Sequence, residues 1–147
     1  MEATDGVVTL RSPDRGDPVL LIEGRDDEFF RWIGPGADVP DPVACIWVED
    51  ELVGWVDYDL GHEWLKPGEV NVGYYLFAAA RGKGYGSRAV GLLLGHLEQG
   101  TEFSVATLTI HPENTKSLAL ARRLGFVEVG QVNGNLFFTR DVSLRPT

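Results

Sequence analysis

The sequence has few of the residues that mark several common classes of protein. Cys45 is the only cysteine in 147 residues, so an internal disulfide is excluded. Cys45 lies in an apolar run, which assigns it to the core rather than to catalysis. The three histidines are widely spaced, so no metal site is predicted. No apolar run reaches membrane-spanning length and no signal-peptide pattern opens the chain, so we expect a cytoplasmic protein without a membrane partner.

Acidic residues are missing from one stretch of an otherwise acidic chain. The net charge is −9, yet residues 70–97 contain no Asp or Glu and three bases, Arg81, Lys83 and Arg88. Residues 1–69 carry 17 acids and 5 bases. The overall acidity disfavours nucleic acid as a partner, because nucleic-acid binding needs a basic face. The uneven charge predicts a cationic substrate and an anionic ligand, although acidic residues also simply keep proteins soluble.

The basic stretch predicts a strand, a glycine-rich loop and a helix. Apolar and aromatic residues alternate with others from Glu69 to Phe77, as in a largely buried strand. The loop Arg81-Gly82-Lys83-Gly84-Tyr85-Gly86 follows, and its glycines allow positive φ and close approach of a ligand. A helix is predicted from about Ser87, with its apolar face at Val90, Leu93, Leu94 and Leu97. A helix start behind such a loop binds anions, whereas the plainer interpretation is a tight connection with solvated bases. We favour phosphate binding.

The spacing in the loop can be compared with the known phosphate-binding patterns. The nucleotide-hydrolysing pattern needs Ser or Thr after its lysine, but Gly84 follows Lys83. The dinucleotide fingerprint needs a third glycine where Ser87 stands. The spacing Arg81-x-x-Gly84-x-Gly86 instead resembles the acetyl-CoA pyrophosphate loop of the GNAT superfamily of N-acetyltransferases, written Q/R-x-x-G-x-G/A.

A second stretch supports this resemblance. Residues 114–126, NTKSLALARRLGF, resemble the GNAT segment N-x-x-S/A-x-x-x-Y/L-x-x-L-G-F, and the two motifs together cover residues 69–126. GYYLFAAARGKGYGSRAV followed by N-T-K-S is most similar to the subgroup that acetylates ribosomal-protein N-termini. Residues 1–68 match only in outline.

The pattern of strands and helices predicts one α/β domain with a mixed sheet. Further strands are predicted at residues 7–11, 43–48, 52–60, 103–110, 126–132 and 136–142, with one or two short helices between 12 and 36 and a helix ending at Gly125. Asn133-Gly134-Asn135 predicts a hairpin. The resemblance implies a single GNAT-like domain over residues 1–147, with 1–68 on the acceptor side and 69–147 on the acetyl-CoA side. It also implies a central sheet of about seven strands flanked by helices, with a splayed strand pair that binds the cofactor.

The resemblance implies which residues bind acetyl-CoA. Pantetheine would pair with the backbone of the central strand, the pyrophosphate would lie on the amides of the loop, and Asn114 would hydrogen-bond the pantetheine arm while also capping its own helix. No metal is implied. The implied cofactor-binding residues are Leu76, Phe77, Ala78, Arg81, Gly82, Lys83, Gly84, Tyr85, Gly86, Ser87 and Asn114.

The implied reaction is direct attack of an amine on the acetyl thioester. Ala121 stands where many superfamily members have a tyrosine general acid, so Ser117, one turn after Asn114, becomes the candidate for hydrogen bonding or protonating the sulfur. The alternative for Ser117 is an ordinary backbone contact on its helix. Glu69 is the candidate base, directly or through water, and the alternative is a solvated carboxylate. Asp57 and Asp59 are further candidates.

Three classes of function compete. The first is an N-acetyltransferase with a cationic amine acceptor, either a protein N-terminus or a small molecule such as an aminoglycoside or a polyamine. The second is a module that binds acyl-CoA without turnover, which the absent tyrosine keeps open. The third is a phosphate-binding domain unrelated to CoA. The oligomeric state is left open, with a homodimer among the alternatives.

Overall fold

The computed structural model describes residues 1–143, so residues 144–147 of the predicted 1–147 domain lie outside the described part. The strands form one mixed sheet in the order β1-β2-β3-β4-β5-β6-β8-β7, with helices between them, which confirms the predicted α/β class. The strands are β1 (Ala3–Thr4), β2 (Val8–Arg11), β3 (Ala44–Val48), β4 (Glu51–Asp59), β5 (Glu69–Leu76), β6 (Val105–Ile110), β7 (Val127–Val132) and β8 (Asn135–Asp141). The helices are α1 (Asp17–Glu23), α2 (Asp27–Trp32), α3 (Tyr85–Gly100) and α4 (Thr115–Arg123), and a 3-10 helix spans Ala78–Ala80.

The described sheet has eight strands where the sequence predicts about seven. The additional strand is β1, whose two residues pair with Leu10 and Thr9 of β2. Two residues are too few to show an alternation of apolar and polar side chains, so the sequence pattern cannot reveal such a strand.

The chain divides into two compact units. The first comprises Met1–Asp57 and Tyr74–Leu92, and the second comprises Tyr58–Gly73 together with the described residues from Leu93 onward. The first unit has a core cluster of Leu21, Cys45 and Leu52, against which Trp47, Trp55 and Phe77 pack. Burial raises the pKa of the Cys45 thiol to about 12. The thiol therefore stays protonated at neutral pH, and the assignment of Cys45 to the core is confirmed.

The second unit holds the closing hairpin and the parallel strand pair. Strands β7 and β8 are joined through Asn133 and Gly134, which have φ values of 51° and 83°, as a turn with two left-handed residues requires. Strand β6 pairs with β8 along its whole length. Strands β5 and β6 pair in parallel only from Glu69↔Val105 to Asn71↔Thr107, although both continue further within the described residues.

The two longer helices follow from local sequence signals. Helix α3 buries the predicted apolar face of Val90, Leu93, Leu94 and Leu97. Helix α4 begins after Asn114, whose side chain accepts a hydrogen bond from the Ser117 amide, and Gly125 follows its end with φ +85°. No helix within residues 1–143 is both long and apolar enough to cross a membrane.

Candidate active site

The glycine-rich loop in the first unit has the backbone conformation that only glycine adopts easily. Gly82 and Gly84 have φ values of +77° and +82°, and a Cβ added at either position would meet no atom within 4 Å. Gly82, Lys83 and Gly84 are exposed, whereas Gly86 is buried. Helix α3 starts at Tyr85, and the amides of a first helical turn have no partners within their helix. The loop therefore presents an exposed glycine backbone directly before a helix N-terminus.

Two of the three bases in this stretch are paired with carboxylates. Arg81 Nη1 lies 2.9 Å from Asp26 Oδ2, and Arg88 Nη1 lies 2.8 Å from Asp5 Oδ2. Within residues 1–143, no carboxylate pairs with Lys83, which is exposed at the tip of the loop. The charge of +3 counted along the sequence therefore overstates the local positive charge. Of the three bases in this stretch, Lys83 is therefore the one whose charge is available to attract an anion.

The Arg81–Asp26 pair belongs to a hydrogen-bonded cluster in the first unit. Arg81 Nη2 donates to Asp26 Oδ1 at 3.1 Å and to the Tyr75 hydroxyl at 2.9 Å, and Arg81 Nε donates to the Leu76 carbonyl at 3.1 Å. The hydrogen bond from Arg81 holds the pKa of Asp26 far below its usual value, although burial alone would raise it. Burial, and then the hydrogen bond to Asp26, raise the pKa of Tyr75 to about 12.

The end of β5 in the first unit is fixed from both sides. The Phe77 amide donates to the Val53 carbonyl at 2.8 Å, and the Leu76 carbonyl accepts from Arg81. Gly24 leaves room for the ring of Phe77, because a Cβ there would overlap that ring. The peptide between Leu76 and Phe77 thus has a defined orientation. Leu76, Phe77 and Ala78 remain predicted partners of pantetheine.

The second motif lies in the second unit, at the start of helix α4. Asn114 Oδ1 accepts from the Ser117 amide at 3.3 Å, so the capping role of Asn114 is observed. Asn114 and Ser117 are both half-buried. Their roles toward the cofactor and the sulfur stay predictions.

The candidate bases occupy different local settings. In the second unit, Glu69 Oε1 accepts from the Lys66 amide at 3.0 Å, and Asp59 Oδ1 lies 2.8 Å from His62 Nε2. In the first unit, Asp57 Oδ1 accepts from the Val43 amide at 3.0 Å. Among the residues that the structure describes, no group of three His, Cys, Asp or Glu side chains is placed to hold a metal ion.

Asp26, Tyr75 and Asp5 were not among the predicted site residues. Asp26 follows Arg25 in a helical region of weak periodicity, and 55 residues separate it from Arg81. The sequence held one signal for Asp26, because aspartate is a favoured N-cap residue and Asp26 does cap the N-terminus of α2. That signal predicts the cap and not the ion pair.

Comparison with known proteins gives the family. A family model described as an acetyltransferase (GNAT) domain matches residues 24–127. The chain belongs to the GNAT acetyltransferase family. It is therefore an acetyl-CoA-dependent N-acetyltransferase, as the two motifs predicted. No curated protein matches the sequence.

Solved structures share the GNAT fold at low sequence identity. An acetyltransferase of the GNAT family from Bacillus anthracis is 16% identical, with a TM-score of 0.80 and coverage of 97% of this chain and 99% of that one. RimJ of Mycobacterium smegmatis, in complex with CoA-disulfide, is 22% identical, with a TM-score of 0.74 over 92% and 82% of the chains. RimL, a ribosomal L7/L12 alpha-N-protein acetyltransferase in complex with coenzyme A, is 18% identical, with a TM-score of 0.72 over 95% and 96%.

Proposed function

We propose that this GNAT enzyme transfers the acetyl group of acetyl-CoA to a cationic primary amine, with a protein N-terminus as the acceptor. The pyrophosphate lies on the amides of residues 82–87, within and directly after the glycine loop, with Lys83 as its charged partner. The observation that carries this proposal is the exposed loop with positive φ at Gly82 and Gly84 directly before helix α3. Pantetheine pairs with the backbone at Leu76, Phe77 and Ala78.

The acceptor assignment rests on two further observations. The charge of residues 1–69, with 17 acids and 5 bases, favours a substrate that is cationic before it loses its proton. The residues of both motifs are most similar to the subgroup that includes RimL, which is described as a ribosomal L7/L12 alpha-N-protein acetyltransferase. We extend that acceptor class to this chain.

The reaction has three chemical requirements. The acceptor ammonium must lose a proton before nitrogen attacks the thioester carbon, the oxyanion needs a hydrogen-bond donor, and the departing thiolate gains a proton. We assign the first step to Glu69, directly or through water. A backbone N–H near Leu76 serves the oxyanion, and Ser117 serves the thiolate.

Thiol release from acetyl-CoA, measured with a panel of amines, tests the proposal. The panel pairs a peptide that has a free basic N-terminus with the same peptide blocked at its α-amine, and adds spermidine and an aminoglycoside. We expect turnover with the free peptide only, and mass spectrometry should place the acetyl group on its α-nitrogen. Turnover with spermidine or the aminoglycoside alone would instead make the chain a small-molecule acetyltransferase. CoA binding without thiol release from any amine would contradict the catalytic assignment.

A further inference from the structure

Arg81 opens the pyrophosphate-loop motif, but its side chain is bound to a carboxylate. The guanidinium forms a two-pronged contact with Asp26, at 2.9 Å through Nη1 and 3.1 Å through Nη2. Its remaining contacts go to the Tyr75 hydroxyl and the Leu76 carbonyl. The Arg81 amide is also engaged, since it donates to the Ala78 carbonyl at 3.3 Å in the 3-10 helix. The side chain and the backbone amide of Arg81 are therefore both hydrogen-bonded within the protein.

Asp26 connects three elements of the first unit. It caps helix α2 by accepting from the Phe29 amide at 3.2 Å, and it accepts from the hydroxyl of Tyr75 near the end of β5. That hydroxyl also lies 3.2 Å from the Gly24 carbonyl in the corner between α1 and α2. Tyr75 is buried, with 6% of its surface exposed, so the contact has a rigid partner. Through Arg81, Asp26 is joined to the first residue of the glycine loop.

We propose that Asp26, Tyr75 and Arg81, together the Arg81 clamp, are positioning residues for acetyl-CoA. The clamp holds the start of the glycine loop and the peptide between Leu76 and Phe77 in the conformation that binds the cofactor. The Arg81 guanidinium does not bind the pyrophosphate. This inference rests on the proposed function, because it assumes that the loop and the end of β5 bind acetyl-CoA.

The energetics favour a clamp over a phosphate ligand. If Arg81 turned to a phosphate, the half-buried Asp26 carboxylate would lose both charged hydrogen bonds, and a partly desolvated charge without its partner is costly. The Leu76 carbonyl and the Tyr75 hydroxyl would each lose a donor as well. A bidentate arginine–carboxylate contact also fixes orientation, which a single point charge would not.

The two roles of Arg81 predict different effects of Asp26→Asn on CoA binding. If Arg81 were a phosphate ligand restrained by Asp26, removing the carboxylate charge would release it and strengthen CoA binding or leave it unchanged. If Arg81 is a clamp, the same change loosens the loop and weakens CoA binding. We expect about tenfold weaker CoA binding. This is the lower end of the loss in metal affinity when a residue that orients a metal ligand through a hydrogen bond is mutated.

Calorimetric titration of CoA into four proteins tests the clamp: wild type, Asp26→Asn, Arg81→Gln and the double variant. We expect each single variant to bind about tenfold more weakly and the double variant no more weakly than the poorer single one, because the two residues act as one unit. The KM for acetyl-CoA should rise with kcat retained, a split that a loss of folded protein would not produce. Unchanged or tighter binding by Asp26→Asn would overturn the clamp.

Asp5→Asn is the matched control, since Asp5 also pairs with an arginine of this stretch but contacts neither the loop start nor β5. We expect its CoA affinity to stay near wild type; a loss equal to that of Asp26→Asn would overturn the clamp. Tyr75→Phe provides a second variant that keeps the ion pair, with about threefold weaker binding expected because the hydroxyl's hydrogen bonds to Asp26 and Arg81 are lost. Wild-type protein that does not bind CoA would overturn the proposed function itself.

Discussion

Gly54 and Tyr75 lie so close that a Cβ added to Gly54 would overlap the backbone carbonyl oxygen of Tyr75. A backbone atom in a sheet cannot move aside as a flexible side chain can. We therefore expect Gly54→Ala to lower the free energy of unfolding by about 3 kcal/mol, the upper range for overpacking. Urea denaturation measures the change.

Gly73→Ala provides the control for Gly54→Ala. Gly73 lies in β5, and a Cβ there would meet no atom within 4 Å. We expect its free energy of unfolding to stay within about 0.5 kcal/mol of wild type. Equal stability of the two variants would show that the close approach at Gly54 is not a constraint.

Lys83 should supply the salt-dependent part of CoA binding. Its charge has no carboxylate partner within the described residues, whereas Arg81 and Arg88 are paired. We expect Lys83→Met to weaken CoA binding about fivefold at low ionic strength, the value of one charge contact in water, and to flatten the dependence of affinity on salt. The control is Arg88→Met combined with Asp5→Asn, which removes an ion pair at constant net charge. A salt dependence that survives in Lys83→Met would contradict this assignment.

Thr107 and Asn71 form a side-chain hydrogen bond at the last pair of the β5–β6 register. Thr107 Oγ1 lies 3.1 Å from Asn71 Oδ1, and Thr107 is fully buried. Thr107→Val keeps the shape but leaves the amide oxygen without this donor, so we expect a loss of about 2 kcal/mol in unfolding free energy. Thr109→Val, on the same strand and half-buried, should change stability by less than about 0.5 kcal/mol in chemical denaturation. Similar losses would contradict the role of the bond.

Asp26 should make the protein lose stability in acid. Because Arg81 lowers its pKa in the folded state, Asp26 contributes stability above its unfolded pKa of about 3.9, and this stability is lost as the pH falls below that value. The Tyr75 hydroxyl also donates to the Asp26 carboxylate, and the negative charge of Glu28 favours the charged form of Arg81. Asp26→Asn should be less stable than wild type at pH 7 and should lose less stability between pH 5 and pH 3. Thermal unfolding across this range, with the exposed Asp38→Asn as control, measures the difference.

The fold was predictable where short-range patterns determine structure. The glycines of the loop, the apolar face from Val90 to Leu97 and the Asn133-Gly134 turn all act within a few residues, and the described structure contains each of them. Asn114 was predicted as a cap for the same reason, because a cap bonds to an amide three residues away.

The ion pairs of the two arginines, Arg81 and Arg88, were not predictable in the same way. Arg81 and Asp26 are 55 residues apart, and Arg88 and Asp5 are 83 apart. A count of charges along the sequence treats these arginines as available to an anion, whereas the fold pairs them. Which charge remains available depends on long-range geometry. The structure was therefore needed to distinguish Lys83 from the two paired arginines.

Ser117 is the candidate proton donor to the departing thiolate, in a chain with Ala121 where many GNAT enzymes have tyrosine. Ser117 is half-buried in the first turn of α4, and its amide is held by Asn114. Ser117→Ala removes one hydroxyl and leaves that amide contact in place. If the hydroxyl hydrogen-bonds or protonates sulfur, the transfer step should slow by about a hundredfold, the lower range for general acid catalysis. Affinity for acetyl-CoA should change little, because charge develops on sulfur only during the reaction.

A second substitution at the same position separates this role from a structural one. Ser117→Cys restores a proton donor, and a thiol with an ordinary pKa of about 8.5 is better matched to neutral pH than an alcohol. We expect the single-turnover rates of wild type and Ser117→Cys to be well above the rate of Ser117→Ala. All three proteins should be equally stable. If Ser117 only contacts the backbone of its helix, all three rates will be similar. An undiminished transfer rate in folded Ser117→Ala would leave water as the donor to the thiolate.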